Sequence, residues 1–327
     1  MSDDYYALGE ISGAVDRTKN LLWPFQWGIW LRIALIALFI SGGGGFNIPG
    51  SSFNDASDTG IAPGSLPDLG ADTLGIILFI AGVILLLALI WMFIGSILQF
   101  VFVDCLTSGQ VLLTRTFKER SGKGLRLFLF NIGLTLVFLF IIAVLALIFL
   151  LPMISGAPPG NAMAFGTVLL FVLLLLVLII PFALIALITT DFVVPVMIRD
   201  DCGLIAAWRQ VVRILTSGWK EGVVYVLAKF VLGIAAFILM AIVLLIAVLI
   251  TAIPFVILGF LLAVVFKGMN VMFLLLLIPF VLLVVLEALL IDVPIVTFFR
   301  YYSLQVLGKL DATYALLPAE SVDELPA

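Results

Sequence analysis

The sequence predicts an all-α, polytopic membrane helix bundle of six transmembrane helices, paired as three repeated hairpins, with amphipathic helices along the cytoplasmic face. Three observations predict it. Of 327 residues, 64% are hydrophobic and 11% charged, whereas a water-soluble domain is about 45–50% apolar and about 25% charged. Apolar runs long enough to cross a hydrocarbon layer about 30 Å thick recur along the chain. Fifteen of the sixteen lysines and arginines fall in segments that such a hairpin scheme returns to one side, and in short loops that asymmetry marks the cytoplasm.

The first span is expected at Leu21–Ile40, with Pro24 near its start and glycines 42–45 ending it. The second covers Leu74–Val103, without a charge. Residues 127–190 are also free of charge and too long for one crossing; "PMISGAPPGN" (152–161) divides them into spans at Leu125–Leu151 and about Gly166–Ile188. The last two spans are Gly222–Ile250 and Val271–Phe299. Between these lies "TAIPFVILGFLLAVVFKGMN" (251–270), which is apolar but interrupted by proline and glycine, and reads as interfacial or re-entrant. Polar and acidic residues fill positions 2–20, so no cleavable signal peptide is expected and the first apolar segment stays in the mature protein.

Shorter segments carry helical periodicity. In residues 203–217, Leu204, Ile205, Trp208, Val211, Val212 and Leu215 share one face and Arg209 and Arg213 the other, the pattern of an amphipathic helix. Residues 111–124 set Val111, Leu112, Leu113 and Phe117 against Arg115, Lys118, Glu119 and Arg120. Near the N-terminus, Leu8, Ile11, Val15 and Leu22 stand against Glu10, Asp16, Arg17 and Lys19. Helices of this kind lie in the headgroup plane, and Arg115, Lys118, Arg120, Arg209 and Arg213 are the expected contacts to anionic lipid headgroups.

The order of amphipathic helix, span, outer loop and span is thus written three times, over roughly 5–106, 107–198 and 199–300, within a single transmembrane domain of residues 1–327. Gly28, Gly122 and Gly218 mark similar points, and an aspartate lies near the end of each even span, in "FVDCL", "DFVVPVMIRDDC" and "IDVPIVTFFR". Both termini and all three amphipathic helices are expected in the cytoplasm. The outer loop 41–73 is rich in Gly, Ser, Pro and Asp and is expected to be mobile, without the spacing of a calcium loop; the cytoplasmic tail 311–327 is expected to fray.

Charges inside the spans are the candidate polar site. Lys229 enters about 10 Å past Gly222, a depth from which its stem can snorkel or meet a carboxylate. Asp191 and Asp292 each precede an arginine by eight residues. Glu287 lies thirteen residues before Arg300, about 20 Å in, and requires a buried donor or a proton of its own. Arg32 and Arg126 read as interfacial anchors that pair with Asp104, and Trp23, Trp27, Trp30 and Trp219 as an aromatic belt.

Without any histidine, imidazole metal sites and His-based nucleophile systems are excluded. Two cysteines, Cys105 and Cys202, are too few for a Cys-rich zinc site, and facing the cytosol they are expected to stay reduced. No phosphate loop or nucleotide fingerprint occurs. No cofactor or metal is expected, nor a nucleic acid partner.

"WPFQWGIWLRIALIALFISGGGG", with "SGKGLRLFLFNIG" and "AAWRQVVRILTSGWKEGVVYVLAKF", resembles an uncharacterised family of archaeal multi-spanning membrane proteins, and more distantly is similar to the membrane domain that accompanies some glycerophosphodiester phosphodiesterases. The resemblance implies a cell-membrane location and an archaeal source, and transfers no catalytic residue. Three functions stay open. A non-enzymatic, membrane-organising component predicts a dry, close-packed centre. A small-molecule or ion transporter predicts a polar midplane cavity containing Glu287. A lipid-processing enzyme predicts carboxylates converging at headgroup depth.

Overall fold

A computed structural model describes residues 6–40, 71–108, 113–154, 161–265 and 270–318, and all of its regular structure is helical. The helices are α1 (Tyr6–Leu22), α2 (Trp27–Ile40), α3 (Ala71–Ser108), α4 (Leu113–Ile154), α5 (Asn161–Ile188), α6 (Val194–Arg199), α7 (Leu204–Ser217), α8 (Trp219–Val265) and α9 (Asn270–Leu310). A π-helical turn, Thr189–Val193, joins α5 to α6, and a 3₁₀ turn, Ala312–Tyr314, follows α9.

Five helices, or helix runs, are long and apolar enough to cross a membrane, and together they mark a multi-pass membrane protein. The expected first span departs from this. Leu21 and Leu22 end α1, the chain bends at a cis Trp23–Pro24 peptide, and α2 contributes 14 described residues, about 21 Å of rise against about 30 Å of hydrocarbon.

Buried residues gather at one end of the bundle. They come from α1, α2, the last turns of α3, Leu127 of α4, the π turn, α6, α7, the first turns of α8, the second half of α9 and Tyr314. From this base the α4–α5 and α8–α9 hairpins and the upper part of α3 extend with their outer faces apolar: Leu78, Phe79, Phe140, Ile180, Phe237 and Val256 are all exposed. In water such faces would drive aggregation, and in lipid they cost nothing.

Four readings of the sequence are corrected here. Residues 251–265 are not a separate re-entrant segment: α8 runs unbroken through Pro254 to Val265, 47 residues and about 70 Å. A proline within a membrane helix loses one hydrogen bond, which neighbouring groups can re-satisfy without ending the helix. Residues 113–124 are not a separate amphipathic helix but the first turns of α4. The inward faces of α1 and α7 match the expected ones in part: Leu22 and Val211 are buried and Ile11, Leu204, Trp208 and Leu215 pack against the core, but other positions differ. Ala7, Ala14 and Thr18 of α1 are buried while Leu8 and Val15 are exposed; in α7 the buried stripe is Ala207, Val211 and Ile214, and Ile205 is 78% exposed. The tail does not fray over its described part: Tyr314 is buried and its hydroxyl donates to Asp200 Oδ2 at 2.9 Å. Loop residues 41–70 and tail residues 319–327 lie outside the described residues, and 71–73 open α3.

Close approach between helices rests on glycine at two points. A Cβ on Gly95 of α3 would stand 2.5 Å from the Phe39 carbonyl oxygen of α2, and one on Gly124 of α4 would stand 2.4 Å from Ile97 Cγ1. Small residues at such contacts let helix backbones meet. Gly95→Ala is expected to destabilise the protein by about 1–3 kcal/mol, because the obstacle is backbone and cannot rotate away. Gly82→Ala, with nothing within 4 Å, is expected to be neutral or slightly stabilising. The unfolding midpoints of the two variants in detergent, measured side by side, check this.

Candidate functional site

The π turn builds the centre of the site. Pro195 has no N–H to offer the carbonyl four residues earlier, and the chain between Ile188 and Val194 widens into an i→i+5 turn, a feature found mostly at functional positions. This turn carries Asp191 into the core, where it is 3% exposed. Two donors meet on its Oδ2: the Tyr225 hydroxyl at 2.8 Å and the Lys229 ammonium. The ammonium also stands 5.9 Å from the Tyr225 ring centre and 5.8 Å from that of Phe299. Lys229 therefore does not depend on snorkelling; it is ion-paired within the protein.

Arg300 completes the centre. It is 5% exposed, donates to the Thr190 carbonyl at 2.6 Å and to Gln99 Oε1, and lies over the Phe102 ring at 5.7 Å. One guanidinium on α9 thus binds α3 and the π turn at once, beside the Asp191 carboxylate. Sequence reasoning used Arg300 as a marker of the membrane edge and missed its role. The available signal was Gln99, the one amide in the otherwise apolar stretch 74–103, since a buried amide needs a partner.

The candidate polar residues are not all brought together. Lys229 and Asp191 touch. Glu287 lies elsewhere, accepting the Thr251 hydroxyl across the α8–α9 interface, with its Oε2 buried and unpartnered. Thr251 is 22 residues beyond Lys229 on α8, about 33 Å. Asp292 is half-buried on α9 and engaged in an interaction of its own. The donor to Glu287 is thus a hydroxyl, not a cation.

The basic rim is partly consumed by internal pairs. Arg120 forks onto Asp104, 2.8 Å from Nε to Oδ2 and 3.2 Å from Nη2 to Oδ1, a pairing that the sequence did not assign to this arginine. Lys123 reaches Asp201 Oδ1 at 2.6 Å and the Met197 carbonyl at 2.7 Å, holding the Asp201 carboxyl below the usual range. Asp201 sits at φ 48°, a left-handed conformation that aspartate tolerates better than most residues. Burial, with Asp200 beside it, pushes the Tyr314 hydroxyl up to about 12, so it stays a donor across the whole physiological range. Lys309 pairs with Glu10 at 3.4 Å. Of the expected headgroup contacts, Lys118, Arg209 and Arg213 are exposed, Arg120 is committed to Asp104, and the side chain of Arg115 lies outside the described residues. Cys105 and Cys202 are both free thiols.

The hollow in the far part of the α8–α9 hairpin, 460 Å³ between Ala252 and Phe280, is walled by apolar residues, and Glu287 is not among them. Asp104, Asp191 and Asp201 are tied to different cations in different places and form no convergent carboxylate group. No curated protein and no solved structure matches the chain. Residues 5–317 match the model of a family that carries no assigned activity, and the chain belongs to that family of unknown function, DUF7544.

Proposed function

We propose that the chain is a non-enzymatic, membrane-organising or accessory component of the cell membrane, acting through packing and lipid contact. The observation that supports this most is the mutual satisfaction of the buried charges at the base: Asp191 takes the Lys229 ammonium and the Tyr225 hydroxyl, and Arg300 donates to Gln99, while the hairpins turn apolar faces outward.

The finer architecture belongs to the same proposal. Six spans form three hairpins related about an axis along the membrane normal, the first of them opening with the short apolar α2. Both termini are cytoplasmic. Contacts at the base link the three units: Asp104 of the first meets Arg120 of the second, Asp191 of the second meets Lys229 of the third, and Lys309, on α9 just past the third, meets Glu10 of the first. Arg300 of the third also reaches the first and second through Gln99 and Thr190.

Lys118, Arg209 and Arg213 face outward at the charged end and hold anionic headgroups, each contributing about 1 kcal/mol. Native mass spectrometry of the protein with phosphatidylglycerol tests this. Wild type is expected to retain bound lipid, and the triple variant Lys118→Gln, Arg209→Gln, Arg213→Gln to lose most of it; equal retention would remove lipid contact from the proposal.

A transporter is the second reading, favoured by the buried, unpartnered Glu287 Oε2. Efflux of protons and small ions from proteoliposomes decides between the two. The expected result is no flux above empty vesicles, with Glu287→Gln folding normally. A saturable flux abolished by Glu287→Gln would replace the accessory role with transport.

A further inference from the structure

A second cavity carries an assignment that the accessory role does not require. It measures 710 Å³ and opens between the first two hairpins, where Phe39, Trp91, Ser96, Gln99, Asn131, Thr135 and Thr190 contribute to its wall. Its size falls in the range of small-molecule sites, about 300–1,000 Å³, and its mixture of apolar wall and a few polar groups is what such sites use.

The depth of the cavity limits what it can hold. The Asp104–Arg120 pair marks the charged end of α3 and α4. Gln99 lies five residues inward on α3, about 8 Å, and Trp91 thirteen, about 20 Å; Asn131 lies eleven residues past Arg120, about 16 Å. These polar groups stand at hydrocarbon depth, where a charged head would be costly, and no charged side chain lines the wall. Ala88, Thr135 and Ala186 are exposed at its margin, on the apolar exterior of the bundle.

The wall offers donors. The hydroxyls of Ser96, Thr135 and Thr190 already donate to carbonyls of their own helices, at 2.8, 2.8 and 2.9 Å. Gln99 gives its oxygen to Arg300, which fixes the amide so that its NH₂ faces away from the guanidinium. Trp91 has a buried indole N–H with no partner, and its ring lies 4.3 Å from that of Phe39. Indole and amide N–H groups in an uncharged, aromatic-walled cavity call for a neutral acceptor.

We propose that this cavity binds the neutral, carbonyl-bearing head of a membrane-dissolved amphiphile, whose apolar tail leaves between the first two hairpins. A quinone and an ester-linked neutral lipid both present this chemistry.

Calorimetric titration of the full-length protein in detergent with decylubiquinone, with dioctanoylglycerol and with short-chain phosphatidylglycerol separates them. One of the two neutral compounds is expected to saturate at one per chain, and which one does so names the source. Trp91→Phe keeps the ring and removes the N–H; Asn131→Leu removes an amide and leaves the Arg300 centre intact. Each is expected to raise the Kd about three- to tenfold, and Ala88→Phe, which fills the mouth, to abolish binding, all with the wild-type unfolding midpoint. Should Trp91→Phe fail to fold, the other two variants decide. Binding of the anionic lipid alone, binding of none of the three, or wild-type affinity in Asn131→Leu and Ala88→Phe would overturn the assignment.

Discussion

Arg300→Leu is expected to unfold the protein, or to lower its stability by about 3–5 kcal/mol, a large part of the roughly 5–15 kcal/mol that holds a typical domain. The substitution withdraws the donor from Gln99 Oε1 and from the Thr190 carbonyl and removes the guanidinium from beside Asp191. The guanidinium itself is enclosed, 5% exposed and covered by Phe102, and Asp191 beside it is 3% exposed, so bulk water does not replace it there. Removing one member of such a buried set costs more than the pair contributes, since the other members keep their desolvation penalty. Arg300→Lys restores the charge but not the planar fork that serves two acceptors at once, and an intermediate loss of about 1–3 kcal/mol is expected. Arg209→Leu, at an exposed position on α7, should shift stability by no more than about 0.5 kcal/mol. Thermal unfolding of the purified variants in detergent, with size-exclusion profiles as a check on the fold, measures all three. An Arg300→Leu protein that melts with wild type would mean that the helices are held together elsewhere.

Hydropathy made five crossing helices or helix runs readable, and the division at 152–161 falls where α4 ends and α5 begins within the described residues. The pairing of Lys229 was also within reach, because a lysine and an aspartate at similar depth in neighbouring spans each need the other. What the sequence hid has physical reasons. The Arg300–Gln99 bond joins residues 201 apart, and no periodicity encodes a contact of that range. On α1 the expected face holds at Ile11 and Leu22 and fails at Leu8 and Val15, because the usual rule sends large apolar residues inside. Here the surroundings are apolar too, so burial rewards small residues such as Ala7 and Ala14, which allow α9 to approach, and Leu8 and Val15 stay outside without penalty. Pro254 reads as a break and is not one, because the loss of a single hydrogen bond is small beside the cost of ending a helix in lipid. The cavity at Trp91 and Asn131 exists only once α2, α3, α4 and α5 are assembled.

Lys229→Met alone should cost about 3–5 kcal/mol, and the reason distinguishes the two accounts of this lysine. A snorkelling lysine contributes its stem to packing and its ammonium to water, so methionine would replace it almost silently. In the structure the ammonium instead meets a carboxylate that is 3% exposed, and methionine leaves that carboxylate with the Tyr225 hydroxyl as its remaining hydrogen bond. Asp191→Leu removes the opposite partner and leaves Lys229 and Arg300 facing one another without an anion between them; a loss of similar size is expected. The double variant should lose less than the sum of the two, with a coupling of about 2–3 kcal/mol. It will not return to wild type, because Tyr225 still loses its acceptor and Arg300 its counter-charge. The coupling is therefore the quantity to read, from unfolding free energies of wild type, both single variants and the double variant under one detergent condition. A silent Lys229→Met, or additive losses, would show that the pair forms without holding the second and third hairpins together, and that the base is secured by Arg300 and its other contacts.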